Sequence, residues 1–337
     1  MNEIQLFRSI LQETEEGILV ANQEGVILYA NSFFKKSFSK SSEVRQKQVS
    51  EVLFSTTLIQ AIKGTLNSKT PQTDEIALQD VRGRYLKLRS TPFQKGQIFF
   101  FRDVTKERKL ERMKRDFVSN VSHEMRTPLS NIKGYTETLI DGALEDRESL
   151  SSFLSIISKH AERISLLIDD LLVLSRVEAQ ELPLIFSHFD IQETILSSIS
   201  SLEHKAKKKE ISIGFQCIEE DLHIEADREG IEQVLNNLID NAIKYTPEGG
   251  KVSLHACSTS DGIQVDVQDT GLGISKKDQS RIFERFYRVD KARSREMGGT
   301  GLGLSIVKHI ILSHKGKIRV KSKEEEGTLF SFSIPKS

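Results

Sequence analysis

The first feature of this sequence able to do chemistry is the run Ser122-His123-Glu124-Met125-Arg126-Thr127-Pro128. Imidazole keeps an unprotonated ring nitrogen near neutral pH, which makes it a competent phosphoryl acceptor. The adjacent Glu124 carboxylate could take the other ring proton. Thr127, one turn on along the same helical face, could position a water for the reverse hydrolysis. Pro128 lacks an N–H and is expected to kink or loosen the helix just past the histidine.

Three downstream segments read as parts of a nucleotide pocket. In Asn236–Tyr245, the residues Asn237, Asn241 and Lys244 fall at i, i+4 and i+7, on one face of a helix. An amide oxygen suits Mg²⁺, Lys244 can meet phosphate charge, and Tyr245 can cover a base or sugar. Asp269-Thr270-Gly271-Leu272-Gly273 follows a strand-like run, so Asp269 can accept a hydrogen bond from an adenine amino group, while Gly271 and Gly273 allow tight turns beside the base. Gly298-Gly299-Thr300-Gly301-Leu302-Gly303 leads into an amphipathic helix whose N-terminal N–H groups can face phosphate oxygens. It lacks the lysine ending of a Walker loop and the βαβ frame of a dinucleotide fingerprint. Between these glycine runs, Phe283, Phe286 and Tyr287 flank Arg288 in what is either a loop packed on the core or a mobile lid whose arginine reaches a γ-phosphate.

The elements that must position these residues fall into three segments. The length is that of about two domains with room for a small third. Residues 1–103 open with a helix-like stretch at Ile4–Leu11, followed by the strand-like runs GILVAN and GVILYAN, polar helical segments, then RYLKLRSTPF and QIFFFRDV. This order predicts a small α+β domain with one antiparallel sheet. Residues 104–180 turn helical: Leu110, Met113, Phe117 and Val121 lead into the His123 helix. A polar loop at 141–149 precedes a second helix with Leu150, Ile157, Ile164 and Leu171 at seven-residue spacing, supported by Leu154, Ala161, Ile168 and Ser175. One seam per helix is too little to bury alone, so two copies are expected to close a four-helix bundle, making a homodimer. A hinge is expected at 179–188, and residues 188–337 alternate helices and strands as an α/β sandwich.

A formal net charge of +0, with 37% hydrophobic and 28% charged residues, gives no overall field favouring nucleic acid or a membrane surface. No apolar run approaches the ~20 residues that span a bilayer, and the amino end carries no signal-like segment, so the expectation is a soluble, cytoplasmic chain. Cys217 and Cys257 read as reduced thiols. The seven other histidines show no metal-ligand spacing, and the KAKKK run at Lys205–Lys209 reads as a solvated helix face. No histidine or cysteine precedes residue 123, which disfavours haem ligation or flavin attachment in the first segment.

The string FVSNVSHEMRTPLSNIKGYTETL resembles the H-box of the HisKA class, and the downstream segments resemble the N, G1, F and G2 boxes of sensor histidine kinases of two-component systems. The resemblance implies a phosphorylated His123, Glu124 as base and Thr127 in phosphatase action. It also implies Mg²⁺ held by Asn241, adenine by Asp269 and phosphates by Lys244 and Arg288, with Gly301 and Gly303 at the lid turn of a Bergerat-type ATP fold. ILYANSFFKK and FFFRDVTKERK resemble a PAS sensor domain, and the lid and hairpin strings look most like phosphate-regulon sensor kinases. The implied function is Mg-ATP-dependent autophosphorylation and transfer to a response-regulator aspartate. The alternatives are a net phosphatase of that regulator, an ATP-binding scaffold, and a chaperone- or mismatch-repair-type ATPase; the last needs no histidine helix.

Overall fold

The computed structural model describes residues 10–41, 43–78, 83–143, 147–178, 184–217, 222–290 and 299–335. It divides into two compact units, Met1–Val118 and Ser119–Ser337. The Ile4–Leu11 stretch lies outside the described residues up to residue 9, and residues 10–13 are helical.

In the first unit, β1 (Gly17–Asn22), β2 (Ile27–Ala30), β3 (Gln72–Ala77), β4 (Tyr85–Phe93) and β5 (Gly96–Asp103) form one antiparallel sheet in the order β2-β1-β5-β4-β3. Between β2 and β3 lie α1 (Ser32–Phe38), α2 (Val49–Val52) and α3 (Thr56–Thr65). The sheet is the one expected, with an additional strand. In β3 Ile76 is the single buried residue, so this polar edge strand lacks the alternation by which strands announce themselves. Phe34, Phe38, Phe99 and Phe101 fill the core with Leu19, Ile27, Leu53, Ile62, Leu86 and Leu88. Asn31 ties the unit together: its Oδ1 accepts from Phe34 N, capping α1, and from Ile18 N on β1. At the sheet's exit, Asp103 Oδ1 accepts from Thr105 N at 2.9 Å, and Tyr85 N on β4 donates to Thr105 Oγ1 at 2.9 Å. The helix that follows is thereby anchored to two strand ends.

That helix, α4, runs Thr105–Thr138 and continues without a break through Pro128, which is buried. The expected interruption at 141–149 is shorter: a π-helical turn occupies Leu139–Ala143 and α5 spans Arg147–Glu178. In the second unit, the buried or half-buried residues Val121, Pro128, Ile132, Tyr135 and Leu139 make one stripe. Ile157, Ile164, Leu167, Leu171 and Leu174 make the facing one, with Tyr135 and Phe153 in ring contact at 5.3 Å. Leu154, Leu166, Ile168 and Leu172 stay 42–51% exposed on α5, and Leu129 is 61% exposed on α4. The supporting heptad positions therefore do not serve the seam inside this chain.

The rest of the second unit is a two-layer α/β arrangement. Of the expected hinge, residues 179–183 lie outside the described ones, and β6 begins at Phe186. The main sheet orders β11 (Lys317–Lys323), β12 (Gly327–Pro335), β10 (Gly262–Asp269), β9 (Lys251–Thr259) and β7 (Ser212–Cys217), with β7 parallel to β9 and the other pairs antiparallel. A two-stranded sheet pairs β6 (Phe186–Asp190) with β8 (His223–Asp227). Helices α6 (Ile191–Lys208), α7 (Arg228–Tyr245) and α8 (Gly303–Ser313) pack together, with α7 in the middle. Val252, Leu254, Val265, Val267, Phe330 and Phe332 from the strands meet Ile195, Val234, Leu235, Leu238, Ile239, Ile306 and Ile310 from the helices. Burial of these apolar side chains, each worth about 1.5–3 kcal/mol, fixes which face of α7 is left to line a site.

Candidate active site

Asn237, Asn241 and Lys244 recur every three or four residues on α7, with Asp240 next to Asn241, beside the apolar stripe that α7 gives to the core. They form one wall of a cavity of about 390 Å³, together with Tyr245, Asp269, Gly273, Tyr287, Arg288, Thr300, Gly301 and Gly303. Ten of the twelve residues expected in a nucleotide pocket thus line one space. Two do not: Leu302 is fully buried in the core, and Gly271 lies behind Asp269, to which its N–H donates at 2.8 Å. A Cβ on Gly271 would stand 2.6 Å from Tyr245 O, so only glycine lets these two turns approach. Gly273 (φ +69°) and Gly301 (φ +76°) occupy left-handed backbone, as expected of residues that turn the chain around the cavity.

Asp269 ends β10 and is 6% exposed. Burial pushes its carboxyl above the usual range, partly offset by the Gly271 and Thr328 N–H groups. Both donate to Oδ1, at 2.8 and 3.1 Å, and among the described residues no hydrogen bond is made to Oδ2. A buried carboxylate with one free oxygen is poised to accept from an amino group.

Asp240 pairs with Lys244 at 2.5 Å and with Lys205 at 3.1 Å. Burial pushes its carboxyl up, but the two lysines outweigh that and hold it below the usual range. Lys205 is 62% exposed, as expected for the KAKKK run, and its ammonium also reaches the cavity lining. Lys209 departs from that expectation: its Nζ donates to Ile243 O, Lys244 O and Thr246 O, each at 2.9 Å, and so caps the end of α7. Asn237 donates to Gln233 O at 3.0 Å, and its Oδ1 sits where a Cβ on Gly303 would come within 2.5 Å, locking α8 against α7. The Asn241 amide lines the cavity and makes no side-chain hydrogen bond among the described residues.

Between the glycine runs, Asp278 accepts from Ser275 Oγ at 2.6 Å and from Tyr287 OH at 2.7 Å, with Arg281 stacked over the Tyr287 ring. Phe283 packs edge-on against Phe330. These contacts fix the base of the segment that carries Arg288; residues 291–298, including Gly298, lie outside the described ones. Arg288 is 6% exposed and reaches the hairpin, donating to Glu124 Oε2 at 3.1 Å and also to Gly299 O. Arg163 of α5 meets the same Glu124 oxygen at 2.9 Å. Thr300 Oγ1 donates to Asp170 Oδ2 on α5 at 2.6 Å, and Asp170 and Leu166 line the cavity with it. Burial raises the Asp170 carboxyl, against the hydrogen bond from Thr300 and the charge of Lys244.

His123 is exposed on α4, and Glu124 turns away from it toward the two arginines. The expected Glu124 contact with the imidazole is therefore not made in this arrangement, because two guanidinium groups compete for the same carboxylate. Thr127 Oγ1 donates to His123 O at 3.3 Å, keeping the hydroxyl beside the histidine. Sequence reading missed Lys205, Asp240, Asp278, Arg163 and Asp170. Asp240 was visible at i, i+4 from Lys244. The two hairpin residues gave no local signal, since their partners lie 39 to 130 positions away.

Residues 113–180 match the His Kinase A (phospho-acceptor) domain family, and residues 226–337 match the histidine kinase-, DNA gyrase B- and HSP90-like ATPase family. The Acinetobacter baumannii histidine kinase AdeS is 30% identical, covering 63% of this chain and 97% of its own, with a TM-score of 0.52. The chain belongs to the sensor histidine kinases. Its C-terminal unit accordingly joins a helical phospho-acceptor region to an ATPase-type α/β domain. The Bacillus subtilis (strain 168) sensor histidine kinase WalK is 34% identical over 339 residues, which is 97% of this kinase and 54% of WalK, so the chain spans about half that relative's length. The histidine kinase ThkA, solved in complex with the response regulator protein TrrA, is 29% identical with a TM-score of 0.54 and 98% of both chains covered. Among the described residues no helix is long and apolar enough to cross a membrane, and no group of three acidic, histidine or cysteine side chains could hold a metal.

Proposed function

We propose that this chain is a Mg-ATP-dependent protein-histidine kinase that phosphorylates His123 and passes the phosphoryl group to an aspartate of a response regulator. The observation that carries the reading is the cavity itself, lined both by the buried Asp269 carboxylate and by Lys244, Thr300 and Arg288, in the same unit as His123. Adenine would sit against Asp269, with its amino group on the free oxygen, and the triphosphate would run toward Lys244, Thr300 and Arg288. In the transfer, a His123 ring nitrogen attacks the γ-phosphorus. The N–P bond forms as the bond to the bridging oxygen breaks, ADP leaves, and the other ring proton passes to Glu124. Arg288 would stabilise the charge on the transferring group.

Mg²⁺ fits the donor set, because it commonly takes one protein oxygen and fills its shell with water and phosphate. The uncommitted Asn241 amide would hold it, and the ion would neutralise phosphate charge. Replacing Asn241 with alanine is expected to weaken Mg²⁺-dependent ATP binding by about tenfold or more, while Mg²⁺-free binding changes little. Calorimetric titration with and without the ion checks this, and equal affinities for both proteins in Mg²⁺ would contradict the assignment.

Thr127, beside the histidine and exposed, is placed to orient a water against a regulator's acyl phosphate. Thr127→Ala should slow regulator dephosphorylation by about 10²-fold and leave His123 labelling within about threefold; parallel losses would contradict the role. Leu154, Ile168 and Leu172 of α5, 42–51% exposed, support a homodimer closed as a four-helix bundle. The β2-β1-β5-β4-β3 sheet with its intervening helices supports a PAS-like sensor region in residues 1–103, whose Asp103-Thr105 anchor would pass strain into α4. Residues 104–180 would form the dimerisation and phosphotransfer region and residues 188–337 the Bergerat-type catalytic domain. A cytoplasmic setting, where ATP is available, completes the proposal.

A further inference from the structure

The phosphate end of the cavity is already occupied by carboxylates. Thr300 gives its hydroxyl to Asp170 at 2.6 Å, and Arg288, almost fully buried, gives its guanidinium to Glu124 at 3.1 Å. Both acceptors come from the helical hairpin, and both donors come from the segments that would hold a triphosphate. Lys244, the second cation there, is paired with Asp240 and lines the cavity with Asp170. An ionised carboxylate and a phosphate oxygen make the same demand on a hydroxyl or guanidinium donor. Both N–H groups of Arg288 Nη2 are committed, to Glu124 Oε2 and to Gly299 O, so a phosphate oxygen that takes this nitrogen must displace one of them.

We infer that Asp170 and Glu124 are internal surrogates for the nucleotide's phosphates: they hold the hairpin against the catalytic domain until the γ-phosphate of a bound triphosphate displaces them. The inference rests on the nucleotide site proposed above. Its consequence is a competition with two outcomes. While the surrogates hold, Glu124 is tied to Arg163 and Arg288 and cannot serve His123. When a triphosphate takes Arg288 and Thr300, the hairpin is released and Glu124 loses one of its two arginines. A diphosphate, which has no γ-phosphate to reach Arg288, displaces the surrogates less. By linkage, weakening a surrogate strengthens triphosphate binding, by at most the same factor. Asp170 is the residue to change, because it belongs to the surrogate and not to the transfer machinery.

The experiment is calorimetric titration of the full chain with the non-hydrolysable triphosphate AMPPNP and, separately, with ADP, both with Mg²⁺. Asp170→Asn and Asp170→Ala are each expected to bind AMPPNP about fivefold or more tighter than the parent, with ADP affinity shifted by less than about twofold. Unchanged or weaker AMPPNP binding in folded variants overturns the inference. A second form of the test locks the same contact covalently. Asp170→Cys and Thr300→Cys, made together with Cys217→Ser and Cys257→Ser, would cross-link the surrogate contact on oxidation. The oxidised chain should lose AMPPNP binding and regain it on reduction, and an oxidised chain that binds as well as the reduced one overturns the inference. Asp269→Asn separates the two levels. If it leaves AMPPNP binding intact, the nucleotide site is misassigned. If it weakens binding while Asp170 variants behave as the parent, only the surrogate role falls.

Discussion

His123→Gln is expected to reduce phosphoryl incorporation from ATP to background while leaving AMPPNP affinity within about twofold of the parent. The two effects separate because the histidine and the cavity share no contact: His123 is exposed on α4, and the cavity is lined from α5, α7, β10, α8 and the segments beside them. Glutamine keeps the length and polarity of the side chain on an exposed helical position, so the fold has no reason to change. Labelling and titration on one preparation check the claim. Loss of both activities together would mean that His123 supports the pocket, and retained labelling would place the phosphoryl group elsewhere.

Asp269→Asn is expected to weaken ATP binding about 10- to 150-fold, the cost of losing a charge-assisted hydrogen bond of about 1.5–3 kcal/mol. The same change should leave the protein as stable at neutral pH, or slightly more so. Burial raises the Asp269 carboxyl above its ordinary value, and the Gly271 and Thr328 N–H groups only partly compensate. A raised folded-state pKa means that the proton stabilises the native form. That contribution is present at low pH and disappears as pH rises through the folded value, leaving an ionised buried group as a penalty at pH 7. Asparagine removes the penalty and keeps an oxygen for both backbone donors. Denaturation at pH 7 should therefore favour the variant or show no difference, and acidification should shift the comparison toward the parent. Stability lost together with affinity would make Asp269 a structural residue. Stability kept with affinity lost marks a group retained for binding at the expense of the fold.

The parts of this molecule legible in its sequence are those whose physics is local. The α7 face carrying Asn237, Asn241 and Lys244 follows from helical periodicity, and the α/β strands Lys251–Thr259, Gly262–Asp269 and Gly327–Pro335 alternate cleanly because one face is buried. Glycines 273 and 301 were legible because left-handed backbone leaves little choice of residue. What escaped was set by distant partners. The edge strand Gln72–Ala77 buries Ile76 alone, and among the described residues the short β6 and β8 pair only with each other. Lys209 looks like a solvated charge until α7 is laid beside it. Glu124 was assigned to its neighbour in sequence, whereas Arg163 and Arg288 claim it in space. Neighbouring position suggests a partner, but a full guanidinium charge at 2.9 Å decides it.

The central claim is that the phosphoryl group of ATP ends on an imidazole nitrogen of this chain. Incubation of the purified chain with γ-labelled ATP and Mg²⁺, followed by exposure of the labelled protein to acid and to alkali, tests it most directly. The expected label is one that acid removes, that alkali leaves in place, and that is absent from His123→Gln. A label stable in acid, or one that persists in His123→Gln, would contradict it.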